Sequence, residues 1–360
     1  MKIGLLTLMN VYNYGGILQC LSLCRTLENL GHQVSIFDYT QSPRWRLARR
    51  WMYYTGPNIG SILEQKIGER QYDVELYRKF ADFKKQHLNL TEPCDSDAAL
   101  RRISRNYDSL IVGSDQVWNL DWFTPAYFLN FAHDFSGQKV SYAACFGHAN
   151  QPIEHQKQVG TWLKQFDHLT VRNTMSQTLV KRSCGRDSQI VADPTLLCDV
   201  SDLVVNIELP YHQFILLYAL SHKRFERVWP ILVHLRHRLG MPIVAIKSDV
   251  LQPWTMADVD YIVHNPGIEE WLGLFSKSSF VITDSFHGTL YAVKNNIPFL
   301  NYIGSDKSRE RITYIVERYG MQAGFPTDPT DALEQTLNFE SIGNKVEEHV
   351  VESLTFLGSL

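Results

Sequence analysis

The stretch KIGLLTLMNVYNYGGILQCLSLCRTLENLGHQVSIFDY, residues 2–39, decides the fold. Residues 2–8 form a short apolar run that ends in turn residues, which predicts a buried strand. Apolar residues at helical spacing follow over 15–30, and Gly31 is placed to end that helix. Residues 33–39 predict a second strand. A strand, a helix and a strand in so short a stretch form a βαβ unit, which implies a parallel sheet with both faces covered.

The same alternation recurs further along the chain. A break at 41–105 predicts an inserted, mainly helical region. Strand patterns then resume, and a second series starts near Gln213. The predicted strands of the two series lie at 109–112, 139–145, 168–172, 189–192, 214–220, 242–247, 279–283 and 298–302. The join at 193–210 contains two prolines and no strong period, so we place the domain boundary there.

We therefore predict an α/β protein with two Rossmann-like domains facing a cleft. The first domain covers 1–199, with the helical insertion at 41–105, and the second covers 200–332. A helical tail follows at 333–360, and packing back on the first domain is one arrangement open to it. Ligands in such sheets bind at the carboxyl ends of the strands.

Composition narrows the class of protein. The 360 residues are 44% hydrophobic and 20% charged, which is typical of a globular chain and excludes a disordered one. A net charge of −3 argues against a dedicated nucleic-acid binder. The sequence has no membrane-length apolar run and no signal-peptide pattern. Its six cysteines form no CxxC pair, which fits free thiols in a reducing compartment. These features predict a cytoplasmic enzyme or binding protein.

Four polar segments follow predicted strands, and the first is the turn before the helix at 15–30. Asn13, Tyr14 and Gly15 open that helix, and a helix start can hold an anion because its backbone N–H groups are exposed there. The alternative interpretation is a tight turn in which Asn13 caps the helix.

The second segment is GSDQVW at 113–118. Ser114, Asp115 and Gln116 present hydrogen-bonding groups, and Trp118 can offer a flat face, which suits a polyhydroxy ligand. The alternative is a turn closed by Asp115, with Trp118 filling the core.

The third segment ends at Arg172. A guanidinium at the end of a buried strand favours a carboxylate or phosphate partner. That partner could be an internal residue such as Asp193. With Lys307 and Arg311, which follow a later strand, Arg172 could also hold a small dianion, although the later pair also fits the solvated first turn of a helix.

The fourth segment, SFVITDSFHG at 279–288, predicts a buried strand, a polar elbow and a helix start. Asp284, Ser285 and His287 lie at the carboxyl end of the strand. A histidine at this position can serve as a general acid or base. No metal-binding pattern, Walker motif or GxSxG elbow occurs in the sequence.

Together these segments resemble the polysaccharide pyruvyl transferase family. The matching pieces, in the order that the family has them, are NYGGILQ (13–19), GSDQVW (113–118), YFLNF (127–131), SYAACFG (141–147), LTVR (169–172), ADPTLL (192–197) and VITDSFHGTLYA (281–292). The resemblance implies a fold like that of the GT-B glycosyltransferases. It also implies transfer of pyruvate from phosphoenolpyruvate to two hydroxyls of a sugar, as a ketal, with release of phosphate.

The resemblance also implies roles for individual residues. His287 is similar to the family's catalytic acid/base, and we expect Asp284 or Asp115 to orient it. Arg172, Lys307 and Arg311 look like donor-anion contacts. The other candidate substrate contacts are Ser285, Phe286, Gly288, Asn13, Tyr14, Gly15 and Ser114. Asn173 stands where the family often has an acidic residue, which weakens any role for position 173. Cys145 stands where the family has serine, which suggests that position 145 serves only packing.

The implied reaction needs no metal or organic cofactor, and its partners are phosphoenolpyruvate and a glycan or lipid-linked oligosaccharide. Such chemistry belongs to capsule or exopolysaccharide biosynthesis for a bacterial cell envelope. The arginines and aromatic rings of 44–54 predict an interfacial helix at the inner face of the membrane, or a surface helix docked on its own domain. Two alternatives stay open: a glycosyltransferase with a nucleotide-sugar donor, and a non-catalytic glycan-binding protein.

Overall fold

The computed structural model describes residues 1–10, 12–40, 74–152, 155–220, 225–248, 258–303, 306–325 and 337–360. The helices in these ranges are α1 (Tyr14–Asn29), α2 (Val74–His87), α3 (Asp97–Ser104), α4 (Gln156–Leu163), α5 (Thr174–Cys184), α6 (Phe225–Leu239), α7 (Ile268–Lys277), α8 (Phe286–Lys294), α9 (Asp306–Tyr319) and α10 (Phe339–Gly358).

The described residues divide into two compact units. The first unit contains residues 1–40, 84–199 and 347–360, and the second contains residues 74–83 and 200–346, within the described ranges. The division falls inside both α2 and α10.

The first unit is built on a parallel sheet with the strand order β2-β1-β3-β4-β5-β6. Its strands are β1 (Lys2–Leu6), β2 (Gln33–Ile36), β3 (Ser109–Asp115), β4 (Gln138–Ala144), β5 (His168–Val171) and β6 (Gln189–Ile190). Every residue of β3 is buried, as expected for a strand that is covered on both faces. Gly31 has a φ of 88° directly after α1, which confirms its predicted role in ending that helix.

The second unit is built on a parallel sheet with the order β11-β10-β7-β8-β9. Its strands are β7 (Ile215–Tyr218), β8 (Ile243–Lys247), β9 (Tyr261–His264), β10 (Phe280–Thr283) and β11 (Phe299–Asn301). Apolar residues of β7, β8 and β10 form its core with α6. Two parallel sheets flanked by helices confirm the predicted α/β fold with two Rossmann-like domains.

Residues 347–360 complete the first unit from the far end of the chain. Ser353 lies in α10, and its Oγ accepts a hydrogen bond from the Ala192 amide at 2.8 Å. The ring of Phe356 stacks on that of Tyr142, with 6.4 Å between centroids. The second half of α10 therefore packs against the sheet across β4 and the segment that follows β6.

The structure differs from the prediction at one strand, and it describes only part of the predicted insertion. β9 was not predicted: it is a strand of only four residues, and none of them is fully buried. Of the predicted insertion at 41–105, the described part contains α2 and α3, and residues 41–73 lie outside the described residues. No helix in the described ranges is long and apolar enough to cross a membrane.

Candidate active site

The carboxyl edge of the first sheet is shaped by an unusual turn at the end of β3. Asp115 has a φ of 63°, a left-handed conformation that aspartate tolerates better than most residues. Its carbonyl oxygen accepts a hydrogen bond from the Cys145 amide at 3.0 Å. The turn after β3 is thus tied to the segment that follows β4.

Arg172, directly after β5, is only 2% exposed. Its Nη1 lies 2.8 Å from Oδ2 of Asp193, and its Nη2 lies 3.3 Å from Oδ1 of Asp115. Burial opposes the guanidinium charge, whereas Cys145, Asp193 and Asp115 together raise the pKa of Arg172 above its ordinary value. The arginine is therefore charged and paired with two carboxylates. The internal partner Asp193, which the sequence left open as an alternative, is present.

Asp193 is the centre of this buried network. Its Oδ1 accepts hydrogen bonds from the amide and the hydroxyl of Thr195, at 3.1 and 2.8 Å. Ser114 is fully buried, and its hydroxyl lies 3.2 Å from the Ala143 carbonyl and 3.5 Å from the Asp193 carboxylate. Ser114 therefore already uses its hydroxyl inside the protein, and its predicted contact with substrate stays a prediction.

Trp118 is fully buried and does not offer a ring to solvent. Its ring stacks on Phe128 with 5.7 Å between centroids and also contacts Phe146 and Phe166. The indole N–H donates to the Tyr127 carbonyl at 2.9 Å. The alternative interpretation, in which Trp118 fills the core, is the one that the structure shows.

The turn before α1 also matches its structural interpretation. The side-chain oxygen of Asn13 accepts a hydrogen bond from the Gly16 amide at 3.1 Å, which makes Asn13 the N-cap. Tyr14 and Gly15 are buried in the first turn. An anion at this helix start stays a prediction.

The carboxyl edge of the second sheet carries the elbow between β10 and α8. Ser285 caps α8, since its Oγ accepts from the Gly288 amide at 3.1 Å. His287 lies in the first helical turn, is 6% exposed, and packs edge-on against the Phe286 ring at 5.3 Å. The local sequence explains this shape: an apolar strand, a capping serine and a helix that follows at once.

Asp284 lies among polar groups at the same edge. Its Oδ1 accepts a hydrogen bond from the Leu220 amide at 2.6 Å, just beyond β7. Burial raises the pKa of Tyr218 and Tyr302, and the nearby Asp284 carboxylate raises both further. Both phenols therefore lie close to the Asp284 carboxylate.

Gly288 is required by packing beneath this elbow. A Cβ at this position would lie 2.8 Å from Thr283 Oγ1 and 3.0 Å from the Tyr218 ring. The glycine therefore lets α8 approach the strands closely. Its predicted contact with substrate stays a prediction, as do those of Ser285 and Phe286.

The remaining predicted residues are divided between the two units. Arg172 and Asp115 belong to the first unit, and Asp284 and His287 to the second, so the assistance of Asp115 to His287 stays a prediction. Arg311 lies partly buried in α9, whereas the side chain of Lys307 lies outside the described residues. The predicted interfacial helix at 44–54 lies outside them too.

One polar pair was missed by the sequence reasoning. His148 Nε2 lies 2.9 Å from Asp121 Oδ2, and the neighbouring Trp122 is 47% exposed. The partners are 27 residues apart, so no local spacing pattern reveals them. Only the position of both segments just beyond neighbouring strands, β3 and β4, could have indicated their contact.

Comparison with known proteins identifies the class of protein. The family model of polysaccharide pyruvyl transferases matches residues 13–306. The match covers most of the chain and includes every strand of the two sheets except β1. The chain therefore belongs to the polysaccharide pyruvyl transferase family, and it is a transferase of that family.

Solved structures confirm the GT-B-like fold. The UDP-GlcNAc 2-epimerase of Methanocaldococcus jannaschii is 13% identical, with a TM-score of 0.53 over 96% of this chain and 92% of that one. A putative UDP-N-acetylglucosamine 2-epimerase of Listeria monocytogenes is 12% identical, with a TM-score of 0.53 over 97% and 90%. UGT89C1 of Arabidopsis thaliana is 10% identical, with a TM-score of 0.52 over 99% and 98%. No curated protein matches the chain significantly in sequence.

Proposed function

We propose that this protein transfers pyruvate from phosphoenolpyruvate to two hydroxyls of a sugar in a polysaccharide or its lipid-linked precursor. The product is a pyruvate ketal, and phosphate is released. The observation that carries the proposal is His287, a titratable group in the first turn of α8 at the carboxyl edge of a sheet, in a chain of the pyruvyl transferase family.

The reaction balances without an oxidant or a reductant. A proton is added to the methylene carbon of phosphoenolpyruvate, and one sugar hydroxyl forms a bond to C2. The C2–O bond to phosphate breaks, and the second hydroxyl closes the ketal at the same carbon. The two hydroxyls lose two protons in total: one balances the proton taken up at the methylene carbon, and the other leaves with phosphate.

His287 is the residue that we assign to this proton transfer. A histidine can hold and release a proton near neutral pH, and a positioned acid or base accelerates such a step about 10²–10⁴-fold. Asp284 lies three residues before it in the same elbow and carries the negative charge able to orient an imidazolium. The start of α8 adds the partial positive charge that favours an anionic donor nearby.

Arg172 takes a more limited part in this proposal. Its bond to Asp193 is the shorter one, and its bond to Asp115 is the longer one. A donor carboxylate or phosphate would compete with Asp193 and Asp115 for the buried guanidinium. Lys307 and Arg311 are the other cations proposed for the donor.

The rest of the proposal concerns the setting of the enzyme. We propose a cytoplasmic enzyme of bacterial capsule or exopolysaccharide biosynthesis, with contact to the inner face of the membrane through residues 44–54. The scheme uses no metal ion and no organic cofactor.

A phosphate-release assay tests the function. The wild-type chain is mixed with phosphoenolpyruvate and a panel of methyl galactosides and mannosides, and product is checked by mass spectrometry for a gain of one pyruvate ketal. A thermal-shift panel of phosphoenolpyruvate, UDP-sugars and GDP-sugars runs beside it. Stabilisation by a nucleotide-sugar alone, with no phosphate release, would contradict the proposal and favour a glycosyltransferase.

A further inference from the structure

An exposed tryptophan stands beside a hydrogen-bonded carboxylate at the carboxyl edge of the first sheet. Trp122 ends the short turn Leu120–Trp122 and is 47% exposed. Asp121 precedes it in the same turn and keeps 29% of its side chain exposed. An indole combines a large apolar face with a polar N–H, which is why tryptophan is enriched at interfaces.

The Asp121 carboxylate is held by a histidine from another segment. His148 follows β4, its side chain is only 8% exposed, and its Nε2 lies 2.9 Å from Asp121 Oδ2. A buried imidazole at this distance fixes the direction of the carboxylate. His148 is thus a positioning residue, and Asp121 is the group that solvent can reach.

Two further residues lock the two segments together. The Gln151 side chain accepts from the Leu120 amide at 2.7 Å and donates to the carbonyls of Phe146 and His148 at 3.0 and 2.6 Å. Gly147 has a φ of 86°, and a Cβ there would lie 2.5 Å from the Gln116 side-chain oxygen. The turn carrying Asp121 and Trp122 is therefore preorganised rather than loosely attached, which lowers the entropy cost of binding.

We propose that Trp122 and Asp121, positioned by His148, form the binding surface for the acceptor saccharide. The indole supplies a flat apolar face for the C–H face of a sugar ring, and the carboxylate accepts a hydrogen bond from one of its hydroxyls. A saccharide fits better than an apolar partner because a charged acceptor adjoins the ring. The proposal rests on the proposed function for naming this saccharide as the acceptor.

The test measures sugar binding separately from catalysis. The full chain is titrated with the same methyl galactosides and mannosides, and binding is followed by saturation-transfer NMR without phosphoenolpyruvate. We expect Trp122→Ala and Asp121→Asn each to weaken binding about tenfold or more, and Trp122→Phe to keep most of it. Asp187→Asn is the matched control, since Asp187 is 92% exposed in the same unit, and it should bind like wild type.

A double-mutant cycle separates positioning from simple structural support. His148→Gln should raise the acceptor KM and leave the phosphoenolpyruvate KM unchanged, and it should add little to Asp121→Asn. Wild-type affinity in both Trp122→Ala and Asp121→Asn would overturn the proposal, as would failure of every sugar of the panel to bind the wild-type chain. Sugar binding without phosphate release would instead remove the proposed function and leave this site standing.

Discussion

The two carboxyl edges differ in the charged side chains that they carry. At the first, Arg172 is an obligate cation closed between Asp193 and Asp115 in a buried network. At the second, His287 and Asp284 lie in an elbow beside two tyrosines. An arginine held by two carboxylates can stabilise the structure of a site, but it cannot transfer a proton because it stays protonated. A histidine can transfer a proton near neutral pH. The proposed function accordingly gives support to the first edge and proton transfer to the second.

The largest expected effect is at the second edge. His287→Ala should lower the rate of phosphate release about 10²–10⁴-fold, because it removes the proposed acid/base. Donor binding, measured by equilibrium dialysis with phosphoenolpyruvate, should change little. His212→Ala is the matched control, since His212 is exposed in the same unit. Full activity of His287→Ala would remove this residue from the mechanism.

The next effect should be one of stability at the first edge. Asp193→Ala leaves Arg172 buried without its nearer carboxylate, and breaking a buried pair costs about 3–5 kcal/mol. Urea unfolding measures this free energy. Asp187→Ala, at an exposed site, should stay within about 0.5 kcal/mol of wild type.

Asp193→Ala also tests whether the first edge is purely structural. If phosphoenolpyruvate raises the Tm of Asp193→Ala well above its effect on wild type, the donor anion is replacing the lost carboxylate at Arg172. That result would show that Arg172 at the first edge binds a ligand and does not serve only to stabilise the fold.

A smaller effect is expected at the cap of α8. Ser285→Ala should lower the free energy of unfolding by about 1 kcal/mol through loss of the N-cap. Ser96→Ala removes the equivalent cap of α3 and should cost a similar amount. Because only Ser285 belongs to the elbow of His287, only its variant should also lower phosphate release. Equal activity in both variants would show that the geometry of the elbow does not depend on its cap.

The smallest effect concerns an exposed ion pair that contrasts with the buried arginine. The hydrogen bond from Arg101 lowers the pKa of Asp134 to about 2. Because the folded pKa is lowered, this pair stabilises the fold above the ordinary pKa of 3.8, and the effect is lost as the pH falls through about 2. Thermal melts at pH 5, 3 and 2 should show wild type and Asp134→Asn converging at low pH. A constant difference would contradict the pair's contribution.

The sequence predicted those parts of the fold that depend on local pattern. Apolar runs such as β3 and β10 are buried on both faces, so their composition alone identifies them. The cap at Ser285 and the helix end at Gly31 follow from residue type and position. β9 was not predicted because its apolar run, Tyr-Ile-Val, is only three residues long and its side chains are only partly buried.

Long-range partners could not be predicted in the same way. The pairing of Arg172 with Asp193 depends on the positions of two segments that are distant in sequence. The sequence therefore suggested Asp193 as a partner, but it could not decide between Asp193 and a bound anion. The burial of Trp118 depends on three phenylalanines from other segments. The contact between His148 and Asp121 forms because β3 and β4 are neighbours in the sheet. The spacing of residues along the sequence does not show which strands are neighbours.

The position of α10 has a consequence for how the protein is made. Residues 347–360 complete the first unit through Ser353 and Phe356, yet the ribosome synthesises them after all of residues 200–346. The first unit is therefore synthesised first but completed last, and the part of its sheet that α10 packs on stays uncovered until residues 347–360 have been made. Slowing translation late in the message should lengthen that exposure and increase the demand for chaperones.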